Sequence, residues 1–376
     1  MSSAWHALPS MQYLPWAIEH MPLARLDLAT SGVPRVPAEE LGAVPHVSEW
    51  QALGIFAERV AQRYAVPAAE VVPALGAAGG ISLLMQALAG PGDEVVVERP
   101  AYEPLLAAIE GRGAVARPFA REPELAWRVT REAVEAALGP RTRAVMLSNP
   151  HNPSGVAQSD EELRPIAEML GARGIELVLD EVYRELAEPR STARRLGDQV
   201  SVISSLTKCF GLGWARAGWV IARPEVAARL RLATLHMCGT LPATVGAYGA
   251  AGMAQADALL ERGRRVIEAN AERARELVAG SRWLRWTAPH PALPFGFVEH
   301  VDGRDLSGVA EALRAAGVLV VPGRFFGLPG GFRVSWMLGA DALEEAFGEV
   351  ERALDRQGGS RGGAGGAGGA QSGRAG

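Results

Sequence analysis

Of the 38 lysine and arginine residues in this 376-residue chain, one alone is a lysine, Lys208. Most surface positions accept Arg in place of Lys, so a compositional bias can strip lysine from them. A position that keeps its amine is one where a guanidinium will not serve. An amine can lose its proton and form a Schiff base, whereas a guanidinium effectively cannot. The plain alternative is a leftover surface lysine. Cysteine is nearly as scarce: Cys209 and Cys238 show neither a metal-ligand spacing nor a CxxC pair. They read as two free thiols of a reducing cytoplasm. The N-terminus, with Trp5 and His6, lacks a basic stretch followed by an apolar run, so no signal peptide is expected and the location expected is cytoplasmic. There is no basic run interleaved with aromatics and the net charge is −4, so nucleic acid is not an expected partner. One charge-free stretch, 71–92, is long enough to imitate a membrane span. Pro73, Gly76, Gly79, Gly80, Gly90 and Pro91 interrupt it. A Gly-rich turn leading into a short buried helix fits better, and no membrane partner is expected.

What is present is an ordinary enzyme composition, 48% hydrophobic and 21% charged, enough for a sizeable core. Residues 1–45 read as a Pro-rich arm with a brief strand or turn at 26–29. An amphipathic helix is expected over 50–64, with Leu53, Phe56, Val60 and Tyr64 at helical spacing. From there strands and helices alternate. Strands are expected at 94–98, 114–119, 144–148, 175–179, 202–203 and 217–222, and helices at 81–89, 102–110, 130–138 and 159–173. Thr130 suits an N-cap, and Ser159 with Glu162 makes a capping-box pattern. Short, continuously apolar strands separated by helices indicate an α/β unit with a mainly parallel sheet. Residues 225–280 read as largely helical with one break near 239–242. Strands at 283–287, 295–300, 318–321 and 332–337, with helices at 305–316 and 341–355, then suggest a smaller α+β unit. Beyond Gln357 the chain is almost wholly Gly, Ala, Ser and Arg, a composition expected to be disordered.

In mainly parallel sheets, ligands sit beyond the carboxyl ends of the strands. The segment Asn149-Pro150-His151-Asn152-Pro153-Ser154-Gly155 falls at one such end, Asp180-Glu181-Val182-Tyr183 at another, and Ser205-Leu206-Thr207-Lys208 at a third. Arg216 follows eight residues after the lysine. The start Gly76-Ala77-Ala78-Gly79-Gly80 leaves backbone N–H groups free to meet an anion at a helix N-terminus. Each feature has a plainer use: close packing for the glycines, a turn for Asn152, an acidic strand end for Asp180, surface charge for Arg216.

Taken jointly, in this order and spacing, these motifs closely resemble the class I/II aminotransferase family of fold-type I pyridoxal-phosphate-dependent enzymes, over about residues 26–355. The resemblance implies an α/β fold with a large domain built on a mainly parallel sheet flanked by helices, plus a smaller α+β domain. The boundaries expected are 1–45 for the arm and part of the small domain, 46–255 for the large cofactor-binding domain, 256–357 for the C-terminal small domain and 358–376 for the tail. It implies the cofactor pyridoxal 5'-phosphate, with Lys208 as its internal aldimine and as the group that moves the substrate proton. Asp180 would face the pyridine nitrogen, and Tyr183 and Asn152 the phenolic oxygen. Ser205, Arg216, Ala77 and Ala78 would form the phosphate cup, and Tyr102 would stack on the ring or serve only in core packing. Arg333, alone in the apolar run 331–336, resembles the residue that grips the substrate α-carboxylate, beside Gly32 and Asn152. The activity implied is transfer of an amino group between an amino acid and a 2-oxo acid by a ping-pong mechanism, in a homodimer. A lyase, decarboxylase or cyclase of the same fold is the alternative. Trp16, Trp50, Trp336 and Tyr102 are candidates for an apolar substrate pocket. One departure stands out. Family members often carry a tyrosine before the first large-domain helix that reaches the partner subunit's phosphate, and Pro45-His46-Val47-Ser48-Glu49-Trp50 has none. Cys209 is expected to be a packed thiol.

Overall fold

A computed structural model of the chain describes residues 8–44 and 47–359. Trp5, His6, His46 and the Gly-rich tail beyond residue 359 lie outside the described residues. Helix α1 (Tyr13–His20) comes first, then strand β1 (Leu26–Asp27) and helix α2 (Glu49–Tyr64). Strand β2 (Val71–Leu75) runs straight into α3 (Gly76–Leu88). The alternation continues with β3 (Glu94–Arg99), α4 (Glu103–Glu110), β4 (Val115–Ala120), α5 (Arg131–Ala137), β5 (Thr142–Ser148), α6 (Asp160–Gly171) and β6 (Glu176–Asp180). A single turn, α7 (Arg184–Ala187), leads to β7 (Val200–Ser205) and β8 (Ala217–Ile221). Three helices follow, α8 (Pro224–Cys238), α9 (Ala243–Ala254) and α10 (Ala256–Gly280). The remainder is β9 (Leu284–Arg285), β10 (Phe295–His300), α11 (Ser307–Ala315), β11 (Val318–Leu319), β12 (Val321–Pro322), β13 (Gly331–Ser335) and α12 (Ala340–Gly359).

The large sheet has seven strands in the order β2-β8-β7-β6-β5-β3-β4. The block from β7 to β4 is parallel throughout. Strand β8 runs antiparallel to both of its neighbours, so β2 points the same way as the parallel block. Both faces are covered, which explains the unbroken apolar runs. In β5, Val145 and Leu147 enter the apolar cluster on one face, and Ala144 and Met146 enter the cluster on the other. Ile81 of α3, Leu105 of α4 and Leu230 of α8 cover one face. Phe56 of α2, Ile166 of α6 and Val245 of α9 cover the other. That second cluster continues into Phe295, Phe332 and Leu343, around the four-stranded sheet β12-β13-β10-β9.

The caps expected at α5 and α6 form. The Thr130 hydroxyl accepts from the Ala133 N–H at 3.2 Å, and Ser159 and Glu162 complete a reciprocal capping box. Five expectations change. The arm contains α1, because Pro15 lies in its first turn, where a missing N–H costs little. Residues 71–75 form β2 despite Pro73, which an edge strand tolerates. The expected strand at 283–287 is paired only at Leu284–Arg285. The stretch 318–321 serves two sheets, with Val318–Leu319 parallel to β1 and Val321–Pro322 antiparallel to β13. A second break in 225–280 falls at Gln255.

Two glycines bring the start of α3 against β8. Gly76 has φ +65, and a Cβ on it would lie 2.5 Å from Nη2 of Arg216. A Cβ on Gly218 would lie 2.5 Å from the carbonyl carbon of Gly76. That contact is with backbone, which cannot swing away. Gly218→Ala is therefore expected to destabilise the protein by about 1–3 kcal/mol through overpacking, measured as a lower urea midpoint. An unchanged midpoint would show that β8 and α3 have room to separate.

Candidate active site

Because β2, β3, β5, β6 and β7 point the same way, their carboxyl ends share one edge of the sheet, and the turn from β7 to β8 lies at that edge too. A cavity of about 250 Å³ opens there. Ala77 and Ala78, Tyr102, Asn152, Asp180 and Tyr183, Ser205 and Lys208, and Arg216 line it from the large sheet. Arg333 from β13 and Tyr13 from α1 close it. All the expected site residues therefore meet in one cavity except Gly32. That residue lines an adjoining cleft, whose wall also includes Thr207 and Lys208. A Cβ on Gly32 would stand 3.3 Å from Cδ of Lys208, and the next residue, Val33, donates its N–H to the Lys208 carbonyl at 2.9 Å.

Lys208 follows the end of β7. Its Nζ donates to Oγ of Ser31 at 3.2 Å, and Ser31 in turn shares a 2.7 Å hydrogen bond with the Tyr183 hydroxyl. Removal from water pushes the amine down to about 8; Arg333 and Arg216 add to the shift, while Asp180 and Asp27 oppose it. Asp180, at the end of β6, is 4% exposed. Burial pushes its carboxyl up to about 7, against the Val182 N–H it accepts at 3.0 Å; the charge of Glu98 adds to the rise and that of Lys208 opposes it. The neighbouring Glu181 is used structurally. Its carboxylate accepts from Arg184, Thr192 and the Ala193 N–H, away from the cavity. Burial likewise raises the Tyr183 and Tyr102 phenols, which stay protonated, and the buried Cys209 thiol, which donates to the Val182 carbonyl.

Neither arginine of the cavity has a carboxylate partner among the described residues. Arg216 holds only the Gly213 carbonyl, at 3.3 Å, beside the start of α3, whose first turn has no side-chain cap. Arg333 is 1% exposed in the middle of β13. Phe332 and Val334 face the main core, while Arg333 points to the opposite side. It donates to Oδ1 of Asn152 at 2.8 Å, to the Ala29 carbonyl at 2.9 Å and to the Tyr13 hydroxyl at 3.1 Å, all neutral acceptors. Its Nε has no partner among the described residues. Buried charges are ordinarily paired, so a cavity with Lys208, Arg216 and Arg333 against one carboxylate is built to receive anions. An anion near Arg216 and the α3 amides and a second one at Arg333 would complete it. Pyridoxal phosphate with a carboxylate-bearing substrate fits this donor set, since the amine, the buried acid and the phenol line the same cavity as the two arginines.

The aromatic pocket differs from expectation. Trp50 is 62% exposed on α2, and Trp336 is buried behind the four-stranded sheet, against Trp286. Trp16 packs on Tyr13 outside the lining. The aromatic lining is Tyr13, Tyr102 and Tyr183, with Leu14, Ala17 and Met21 completing the wall near α1. Tyr13, Ser31 and Ser148 are site residues that sequence reasoning did not find. Ser31 preceded the recognised Gly32, and Tyr13 lay in a segment without a legible helix.

The depressed amine is directly testable. Acylation of Lys208 by acetic anhydride in the cofactor-free protein, followed by peptide mass spectrometry, should rise through a midpoint near pH 8. A midpoint near 10.5, the ordinary lysine value, would contradict the electrostatics described.

Comparison with known proteins agrees with the cavity's composition. The family model for aminotransferase class I and II matches residues 34–349. Arginine–pyruvate transaminase of Pseudomonas aeruginosa is 32% identical over 320 residues, 80% of this chain and 80% of that protein. Capreomycidine synthase of Streptomyces vinaceus is 28% identical over 381 residues, covering 93% of this chain and 94% of the synthase. The crystal structure of a PLP-dependent aminotransferase from Streptococcus suis shares the fold, with a TM-score of 0.84 at 23% identity over 93% of this chain and 99% of the other. A family match across nearly all of both sheets, together with a relative of this identity and coverage, means that the chain belongs to the class I and II aminotransferases.

Proposed function

We propose that this enzyme moves an amino group from an amino acid to a 2-oxo acid by a ping-pong mechanism, with Lys208 as the catalytic amine. The observation that carries the proposal is one cavity lined by the chain's sole lysine and by two arginines that have no carboxylate partner among the described residues. Ala77, Ala78, Ser205 and Arg216 would hold the phosphate of pyridoxal phosphate, Asp180 its ring nitrogen, Tyr183 and Asn152 its phenolic oxygen and Tyr102 its ring face. Bound there, the cofactor supplies an electron sink for the pair left on the substrate α-carbon when a proton departs. Asp180 holds negative charge where that sink needs a protonated ring nitrogen. Nζ of Lys208, with its lowered proton affinity, would take the proton from the substrate α-carbon and hold it for delivery to the cofactor carbon that bears the amino nitrogen. Arg333 and Asn152 hold the substrate carboxylate, which fixes the α-carbon against Lys208, while Gly32 lies in the adjoining cleft against the lysine stem. Substrate side chains would meet Leu14, Ala17 and Met21, so donors with apolar side chains are favoured. Arginine belongs in any donor screen because of the similarity to arginine–pyruvate transaminase.

The proposal includes a homodimer and a cytoplasmic location. Trp50 on α2 and Leu232 and Leu235 on α8 are large, exposed apolar side chains of the kind that subunit contacts cover. None of the described helices is long and apolar enough to cross a membrane. It also includes division near residues 45 and 255 into a large domain around the seven-stranded sheet and a smaller one around the four-stranded sheet. The alternative, a cyclase of the same fold acting on an amino acid, is kept beside it because the similarity to capreomycidine synthase, which is not named an aminotransferase, extends over nearly the whole chain.

A screen of amino donors with one 2-oxo acid acceptor separates the two, since transfer releases a new 2-oxo acid from the donor and cyclisation does not. Within the screen, Arg333→Ala should lower kcat/KM for amino acids by about 100-fold or more, from the loss of a charged hydrogen-bonding partner. Amines without a carboxylate should lose far less. Equal losses on both would remove Arg333 from carboxylate binding.

A further inference from the structure

Beneath the cavity lies an ion pair that the proposed chemistry does not use. Glu98, at the end of β3, is fully buried, and Arg121, just past β4, is 3% exposed. Nε of Arg121 donates to Oε2 of Glu98 at 2.7 Å, and its Nη2 lies 2.6 Å from the same oxygen. Taking two charges this far from water is expensive, and apolar side chains of the same volume usually do as well or better for stability. The pair therefore needs a reason besides holding the core together.

The reason lies in its other hydrogen bonds, three of which fall on one residue. Oε1 of Glu98 accepts both the Ser148 N–H at 2.8 Å and the Ser148 hydroxyl at 2.6 Å, and Arg121 donates to the Ser148 carbonyl at 3.0 Å. Ser148 ends β5 and lines the cavity. With its proton committed to Glu98, the Ser148 oxygen accepts the Asn152 N–H at 3.3 Å, and Asn152 receives Arg333. The same loop is pinned a second time. Nε2 of the buried, neutral His151 bonds the Pro100 carbonyl at 3.0 Å, two residues past Glu98, while its Nδ1 pairs with the Ser154 hydroxyl at 2.7 Å. Arg121 also holds the carbonyl of Trp127, whose ring lies against His151. The ends of β3, β4 and β5 are thus tied into one buried polar network that terminates on the carboxylate-binding side chains.

We infer that Glu98 and Arg121 are positioning residues for the Asn152–Arg333 clamp, acting through Ser148. The inference rests on the clamp role proposed above. Directional bonds from fixed charges set the place of Ser148 to within a hydrogen bond's tolerance, which an apolar pair of the same size cannot do. The negative charge of Glu98 also acts on Asp180 in the same cavity, so the pair bears on both ends of the site.

The test compares fold with clamp. The double variant Glu98→Leu/Arg121→Met keeps volume and removes the network. Its urea midpoint is expected to equal or exceed that of the wild type. The affinity of the cofactor-free protein for 3-phenylpropionate, a carboxylate lacking an amine, should fall about tenfold by calorimetry. KM for amino acids should rise by a similar factor, with a smaller change in kcat. Ser148→Ala, which cuts only the hydroxyl relay, should weaken the same carboxylate without loss of fold, and it decides the matter if the double variant does not fold. Affinity within twofold of wild type in a folded double variant, or in Ser148→Ala, overturns the inference. If wild-type protein binds 3-phenylpropionate but transfers no amino group, the proposed activity fails while the positioning claim is still read from the affinities.

Discussion

Unbalanced charge in a half-closed cavity is the constraint on which the rest of the site depends. Lys208, Arg216 and Arg333 converge on a space whose one facing carboxylate belongs to Asp180. The arrangement carries its own electrostatic strain. The two arginines help to depress the amine of Lys208, and burial with the charge of Glu98 lifts the carboxyl of Asp180. Both shifts bring groups that would ordinarily titrate at opposite ends of the pH scale towards neutrality. For Lys208 the shift suits proton transfer, because an amine brought towards neutrality gains or loses a proton readily.

The fold makes this convergence possible by geometry alone. Six strands that point the same way deliver their carboxyl ends to one edge, and the single antiparallel strand, β8, returns Arg216 to that edge after the Lys208 turn. Gly76 and Gly218 then remove the side chains that would keep the α3 amides and Arg216 apart. The four-stranded sheet contributes one residue, Arg333, by the alternation of β13: its neighbours face the core and it faces the cavity. The segment from Leu28 to Val36 stitches the two sheets together, bonding Ser335 on one side and Lys208 and Gly211 on the other.

Much of this could be read in the sequence where one local rule sufficed. The lone lysine, the Asn152 and Asp180 segments and the isolated Arg333 each break a simple pattern, and each reaches the cavity. The alternating strands and helices were legible because both sheet faces are apolar, and the caps at Thr130 and Ser159 because they are local. Residues whose role depends on tertiary approach were not legible. Tyr13 reaches Arg333 across 320 positions and Ser31 reaches Tyr183 across 152. Glu98 and Arg121 look like exposed strand-end charges until β3, β4 and β5 are placed side by side. Tryptophan was misleading for the same reason: Trp50 occupies an amphipathic helix, but its side chain points to solvent.

The central claim is that the one lysine is the covalent anchor in this cavity. Incubating the protein with pyridoxal phosphate, reducing with borohydride and mapping the peptides tests it most directly. The account requires a single pyridoxyl label, on Lys208, lost when Asp180→Asn and Arg216→Ala are combined. Labelling confined to the N-terminal amine, or none at all, would contradict it.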